Sequence, residues 1–227
     1  MRWVTYLSPS GGERRPGVVD DGCVFGYPGP QDVLGLLADG GDAMAEAHRR
    51  ALAEPVEIIV EFETRLCAPL TPARPVTVRG TDSDPVPVGP GLVRGTDDGA
   101  VLPAGAPGLV ADVGAVAFRF DTGETAGYTL ACLWRAPGGE PTTLTLGPAL
   151  VTAEEFDDGA GFVVTASVED LTVAEAVLDR AWAEAADGAP VGSLPARTRL
   201  LAAGEEFFVD GGPLGSFELR IGSGTGT

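Results

Sequence analysis

Two apolar, β-rich runs, residues 109–120 and 125–135, constrain the fold of this 227-residue chain more than any other feature. Ala, Val, Leu, Phe and Trp crowd both runs, the composition of sheet strands buried in a core. Shorter strand-like runs lie around them, at 2–7, 17–20, 22–25, 76–79, 86–88, 92–94, 148–152, 161–168, 198–202, 205–209 and 216–221, separated by turn residues. Helices are few. Gln31 to Ala38 places Val33, Leu34, Leu36 and Leu37 together and stops at Gly40-Gly41. Asp42 to Glu54 reads as a second helix, N-capped by Asp42 and stopped by Pro55, with an alanine-rich face that should lie lightly on the surface. Residues 172–186 read as an amphipathic helix, with Val173, Val177, Leu178 and Ala181 inward and Asp179, Arg180 and Glu184 in water. The fold class is therefore mixed α/β and β-rich. The strand-like bridge 56–70 marks a boundary between a small N-terminal domain, 1–64, and a larger one, 65–227. Residues 71–108, rich in Pro, Gly and Asp, form a candidate pocket rim, and 222–227 read as a frayed end.

Charge and residue usage remove several classes of function. The formal net charge is −18, from 33 acidic and 15 basic residues. Such a surface repels phosphate backbones and anionic bilayers, so neither nucleic acid nor membrane is an expected partner. Every basic residue apart from His48 is arginine, which excludes a Schiff-base lysine or a lysine general base. The bias towards Ala, Gly, Val, Asp and Arg suggests a GC-rich, actinobacterial style of coding. Three scattered cysteines, Cys23, Cys67 and Cys132, make neither a disulfide framework nor a zinc site, and fit a reduced, cytoplasmic compartment. No apolar run approaches the length of a membrane span. His48 is the one histidine and reads as part of a solvated helix face, so Ser-His-Asp and Cys-His catalysis are disfavoured. The glycines around Gly211-Gly212-Pro213 lack the lysine and helix of a phosphate loop and read as a turn.

Gly127-Tyr128-Thr129, followed by Leu146-Gly147-Pro148-Ala149-Leu150-Val151-Thr152, resembles the central signature of the fumarylacetoacetate hydrolase superfamily. Arg65-Leu66-Cys67-Ala68-Pro69-Leu70 is similar to the family's junction into its main domain, and Ile221-Gly222-Ser223-Gly224-Thr225 to its closing hairpin. The resemblance implies a β-sheet roll with a small N-terminal α/β domain, and a homodimer. It also implies a site in which carboxylates hold Mg²⁺ or Mn²⁺ beside a catalytic histidine. This chain departs there. Asp112 stands at the first carboxylate position, but Gly114 and Leu133 stand at the other two. Residues 78–83 carry no histidine, and Gly138 falls nearest to the family's lysine. A hard cation needs several oxygen ligands, so no metal and no cofactor is expected.

What remains points to an apolar pocket with few polar groups. Asp112 is the candidate general acid or base, since desolvation would raise its pKa; the plain alternative is a hydrogen-bonded strand residue. Arg135 is the candidate oxyanion partner. Tyr128, Cys132, Leu133, Trp134 and Phe118 are the candidate lining of the former metal pocket, although Cys132 and Tyr128 read more simply as packing residues. Such a pocket suits a hydrophobic, polyketide-like or enolised β-dicarbonyl substrate of specialised metabolism. Ring closure, isomerisation or cycloaddition would follow from holding that substrate in a reactive conformation. Two other readings stay open: a non-catalytic pseudoenzyme or binding subunit, and a hydrolase or decarboxylase whose Mg²⁺ or Mn²⁺ site is rebuilt with ligands such as Asp82, Asp84 or Asp112.

Overall fold

The computed structural model describes residues 1–80, 84–156, 161–184 and 189–223, the side chain of Glu184 excepted. Strands β1 (Arg2–Leu7), β2 (Arg14–Asp20) and β3 (Cys23–Gly26) open the chain, followed by helices α1 (Val33–Asp39) and α2 (Gly41–Ala53). Next come β4 (Ile58–Val60), β5 (Leu66–Cys67), β6 (Val76–Gly80), β7 (Val86–Val88) and β8 (Val93–Arg94). The long pair β9 (Gly108–Arg119) and β10 (Thr125–Arg135) leads to β11 (Pro141–Leu146) and β12 (Leu150–Thr152). The remainder is β13 (Phe162–Val168), β14 (Leu171–Leu178), the short α3 (Ala181–Glu184), β15 (Val191–Arg197), β16 (Leu201–Ala202), β17 (Glu206–Asp210) and β18 (Ser216–Arg220).

Among the described residues these strands make two sheets. The larger runs β4-β3-β2-β1-β12-β10-β9-β15-β6-β7, with β11 and β8 branching from β10. The smaller runs β14-β13-β17-β18. Because β1 pairs with both β2 and β12, the N-terminal strands and the later ones share one hydrogen-bonded sheet.

β9 and β10 pair along nearly their whole length and are covered on both faces, which is why their sequences read as unbroken apolar runs. Successive side chains alternate between two cores. Tyr128, Leu130, Cys132 and Trp134, with Leu109, Ala111 and Val113, pack towards Phe162, Val164 and Phe207 of the smaller sheet. Ala131 and Leu133, with Val116 and Phe118, pack towards Leu36, Leu37 and Met44 of the helices and Leu144 and Leu146 of β11.

α1 is capped by Asp32, whose carboxylate accepts from the Gly35 N–H at 2.8 Å. α2 starts after Gly40, so Asp42 lies in its first turn and is not the expected cap; its charge still favours the helix start. Nor does α2 lie lightly: Met44, Ala47 and Ala51 are buried.

The helix expected at 172–186 is the clearest correction. β14 pairs with β13 from Phe162↔Leu178 to Val168↔Leu171, leaving Glu169 and Asp170 as a two-residue loop, both at positive φ. That is the geometry of a type I′ hairpin turn. Cross-strand pairing of β-branched Val163 and Val177 then outweighs the modest helix propensity of an alanine-rich segment. Among the described residues of this segment, only Ala181–Glu184 is helical. Sequence reading also missed β11, an alternating Pro-Thr-Thr-Leu-Thr-Leu strand, and β15, whose Pro195 falls where the β15–β9 register shifts. The frayed end expected at 222–227 falls mostly outside the described residues. Among the described residues no helix is long and apolar enough to cross a membrane.

Candidate active site

Three adjacent strands bring one carboxylate and two guanidinium groups together. On β9, Asp112 lies opposite Leu133 of β10 on one side and opposite Arg197 of β15 on the other. Arg135, two residues beyond Leu133, projects on the same face of the sheet. Arg135 Nε donates to Asp112 Oδ2 at 2.6 Å. Arg197 Nε donates to Oδ1 at 2.7 Å, and its Nη2 reaches Oδ2 at 3.4 Å. Arg135 Nη1 also donates to the Gly139 carbonyl at 2.9 Å, tying the cluster to the β10–β11 turn. Asp112 and Arg135 are buried, whereas the Arg197 side chain is 48% exposed. A carboxylate this deep is tolerated only when its charge is paired and its oxygens hydrogen-bonded, and here both oxygens are engaged.

The register places Asp112, Gly114 and Leu133 beside one another, so the positions that the resemblance gives to metal carboxylates do converge. Their chemistry does not suit a divalent cation. Asp112 is held by two guanidinium groups. Leu133 offers no donor and is packed in the core. Gly114 offers none either, and a Cβ at that position would collide with the Ser193 carbonyl of β15. Among the described residues no group of three or more His, Cys, Asp or Glu side chains is placed to hold a metal ion. Asp82 lies outside the described residues, and Asp84 is exposed.

The other residues expected here are divided by the pleat. Leu133 shares the face of Asp112 and Arg135, while Tyr128, Cys132 and Trp134 point into the opposite core. Trp134 donates its Nε1–H to Thr145 Oγ1 at 2.9 Å and meets Phe207 edge-on at 5.4 Å. Tyr128 packs edge-on against Phe156, Phe162 and Trp182. Cys132 is fully buried, and burial, reinforced by the Asp112 charge, pushes its thiol well above the ordinary range, which removes thiolate character. Phe118 is on the Asp112 face but six residues away along β9, roughly 20 Å, where it lines a separate cleft. The expected single lining of five side chains is thus split between two cores and a distant cleft. His48, expected in water, is half-buried with its ring 6.5 Å from that of Trp3, and burial lowers its pKa. Segment 71–108 does border clefts: Pro90, Val93, Arg94 and Asp98 face Arg14 and Thr143 across about 300 Å³.

Arg197 is the functional candidate that sequence reading missed. A buried Asp demands cationic partners, and that requirement was legible; which of the arginines would answer it was not, because Arg197 arrives from a strand 85 residues away.

No protein-family model matches this sequence, and no curated protein matches it. Solved structures do match over nearly the full length. Maleylpyruvate hydrolase from Sphingobium sp. SYK-6, in complex with manganese(II) ion and pyruvate, aligns at a TM-score of 0.77 and 18% identity, covering 99% of this chain and 100% of that one. Fumarylacetoacetate hydrolase from psychrophilic Exiguobacterium antarcticum aligns at 0.73 and 16%, covering 97% and 99%. 2-Hydroxyhepta-2,4-diene-1,7-dioate isomerase from Mycobacterium marinum aligns at 0.65 and 16%, covering 97% of each. At these identities the likeness establishes a shared fold, and that fold is the one found in fumarylacetoacetate hydrolase.

Proposed function

We propose that this chain, which carries the fumarylacetoacetate hydrolase fold, is an enzyme that works without a divalent cation on an enolisable β-dicarbonyl or polyketide-like compound, by ring closure or isomerisation. The observation that carries this reading is the Arg135–Asp112–Arg197 cluster at the converged ligand positions. Two guanidinium groups against one carboxylate leave one net positive charge where the resemblance implies a cation. A fixed positive charge in a poorly hydrated site stabilises a developing enolate oxygen. Arg197, half-exposed, is the member that reaches solvent and would hold that oxygen. Asp112, with both oxygens engaged, positions the two arginines rather than relaying a proton. Leu133 fills the space beside it, and Tyr128, Cys132 and Trp134 support the strand from behind. The names of the structural relatives are consistent with enolisable substrates: one was solved with pyruvate, and another is an isomerase of a 2-hydroxydienoate, an enol. A homodimer remains part of the proposal, supported by the exposed apolar side chains Ile58, Val60 and Phe62 at and beside the edge strand β4.

The test is turnover of a panel of β-dicarbonyl and 2-oxo compounds in excess EDTA, followed as loss of enol ultraviolet absorbance. Chelator-resistant turnover that disappears in Arg197→Ala supports the reading. Turnover that needs Mg²⁺ or Mn²⁺, or that ignores Arg197→Ala, overturns it.

A second reading, a non-catalytic binding subunit, is favoured by one observation: Asp112, Arg135, Arg197, Cys132, Leu133 and Trp134 line none of five surface clefts found among the described residues. A lack of turnover across the panel, together with co-purification of an intact enzyme of the same fold, would establish it. A rebuilt Mg²⁺ or Mn²⁺ site has less support, since Asp112 is already engaged by arginines.

A further inference from the structure

At the end of β9 opposite Asp112, a cleft of about 370 Å³ opens between α1, the segment around Arg74 and the start of the β9–β10 turn. Its walls are apolar, formed chiefly by Leu34, Leu37, Phe118 and Pro190. Two guanidinium groups, those of Arg74 and Arg119, complete it. Arg119 is pinned: its two terminal nitrogens donate to the Gly123 and Ala183 carbonyl oxygens, and its buried Nε has no partner. Neutral carbonyls hold a guanidinium in place without cancelling its charge. Arg74 is exposed. Among the described residues neither arginine forms an ion pair.

In a chain with 33 acidic and 15 basic residues, carboxylates are abundant, yet no described one is paired with these two arginines. An apolar floor with uncancelled cations at its rim matches a ligand that has an apolar body and one anionic head. The head is better a carboxylate than a phosphate. Asp121 also lines the cleft, and the chain is strongly negative overall, so a singly charged head meets less repulsion than a dianion. A planar carboxylate also matches the guanidinium fork of Arg74, which is free to turn towards it. The volume falls at the small end of ligand sites, which run from about 300 to 1,000 Å³.

We infer that this cleft binds a small apolar monocarboxylate, arylalkyl or medium-chain, with Arg74 gripping the carboxylate, Arg119 supplying a fixed positive charge from the wall, and Phe118 and Leu34 covering the tail. The site lies roughly 20 Å along β9 from Asp112 and does not depend on the function proposed for that cluster.

Calorimetric titration of the full chain with 3-phenylpropanoate, 3-phenylpropanol and 3-phenylpropylamine tests it. The carboxylate should bind saturably at one site, the alcohol more weakly and the amine not at all. Arg74→Glu should weaken carboxylate binding about ten- to hundredfold, the worth of a lost charge-assisted hydrogen bond. Leu34→Trp, which fills the cleft, should abolish it. Thermal melting checks that each variant folds; should Leu34→Trp fail to fold, Arg74→Glu at an exposed position decides alone. No saturable binding of 3-phenylpropanoate, equal affinity for the alcohol, or affinity untouched by Arg74→Glu would each overturn the inference.

Discussion

The two ends of β9 carry the same chemistry in opposite states. At Asp112 two arginines converge on one carboxylate, and the cluster is packed shut except at Arg197. At Phe118 two arginines line an open cleft, and although Asp121 lines it too, neither arginine is ion-paired with a described carboxylate. The difference lies in what the neighbouring strands deliver. β15 pairs with β9 from Asp112 to Ala117 and presses its backbone over Gly114, but it begins only at Val191, so beyond Ala117 the border is α1, Pro190 and the approach to β6, which leave a gap. A guanidinium cluster is a structural staple where an internal acid satisfies it, and a receptor where none does.

The sharpest way to break this comparison is to remove the acid. Asp112→Ala leaves two guanidinium groups facing each other, one of them buried, and should cost about 3–5 kcal/mol, the usual effect of stranding a buried charge. Urea unfolding measures it; a loss below about 1 kcal/mol would mean that the cluster is no staple. A smaller effect comes from Gly114→Ala. Its methyl group must displace the β15 backbone at Ser193, an overpacking expected to cost about 1–3 kcal/mol. A neutral result in the same unfolding experiment would show that β15 yields, and that a ligand side chain has room there. Smallest is Arg197→Ala. Half-exposed, this arginine is screened by solvent, and its removal should cost at most about 1 kcal/mol while Arg135 still neutralises Asp112. A loss matching that of Asp112→Ala would make Arg197 a structural residue and remove the ground for giving it a catalytic part.

Much of the fold was legible because the relevant signals are local. The limits of β9 and β10 could be read to within a residue, since double-sided burial leaves an uninterrupted apolar run. That Gly114 and Leu133 offer no side-chain oxygen was equally legible, because it holds wherever they are placed. The 172–186 segment was misread for the opposite reason. Its apolar spacing satisfies a helix and a strand alike, and the choice fell to the partner strand β13 and the Glu169–Asp170 loop. The candidate site was half legible. Asp112 and Arg135 meet as their spacing across β9 and β10 allows, but Tyr128, Cys132 and Trp134 go to the other core because each step of one residue along a strand reverses the face.

By itself, then, the sequence determined a β-rich chain, two strands buried on both faces, and residues without side-chain oxygens at positions 114 and 133. Only the tertiary structure decided that Arg197 completes the Asp112 cluster, that no Cβ fits at position 114, and that Phe118 opens onto a cleft of its own. The physical reason is range. Burial pattern and donor chemistry belong to single residues and their near neighbours, whereas charge pairing and open volume are set by strands that the chain brings together across 85 residues, as it does Asp112 and Arg197.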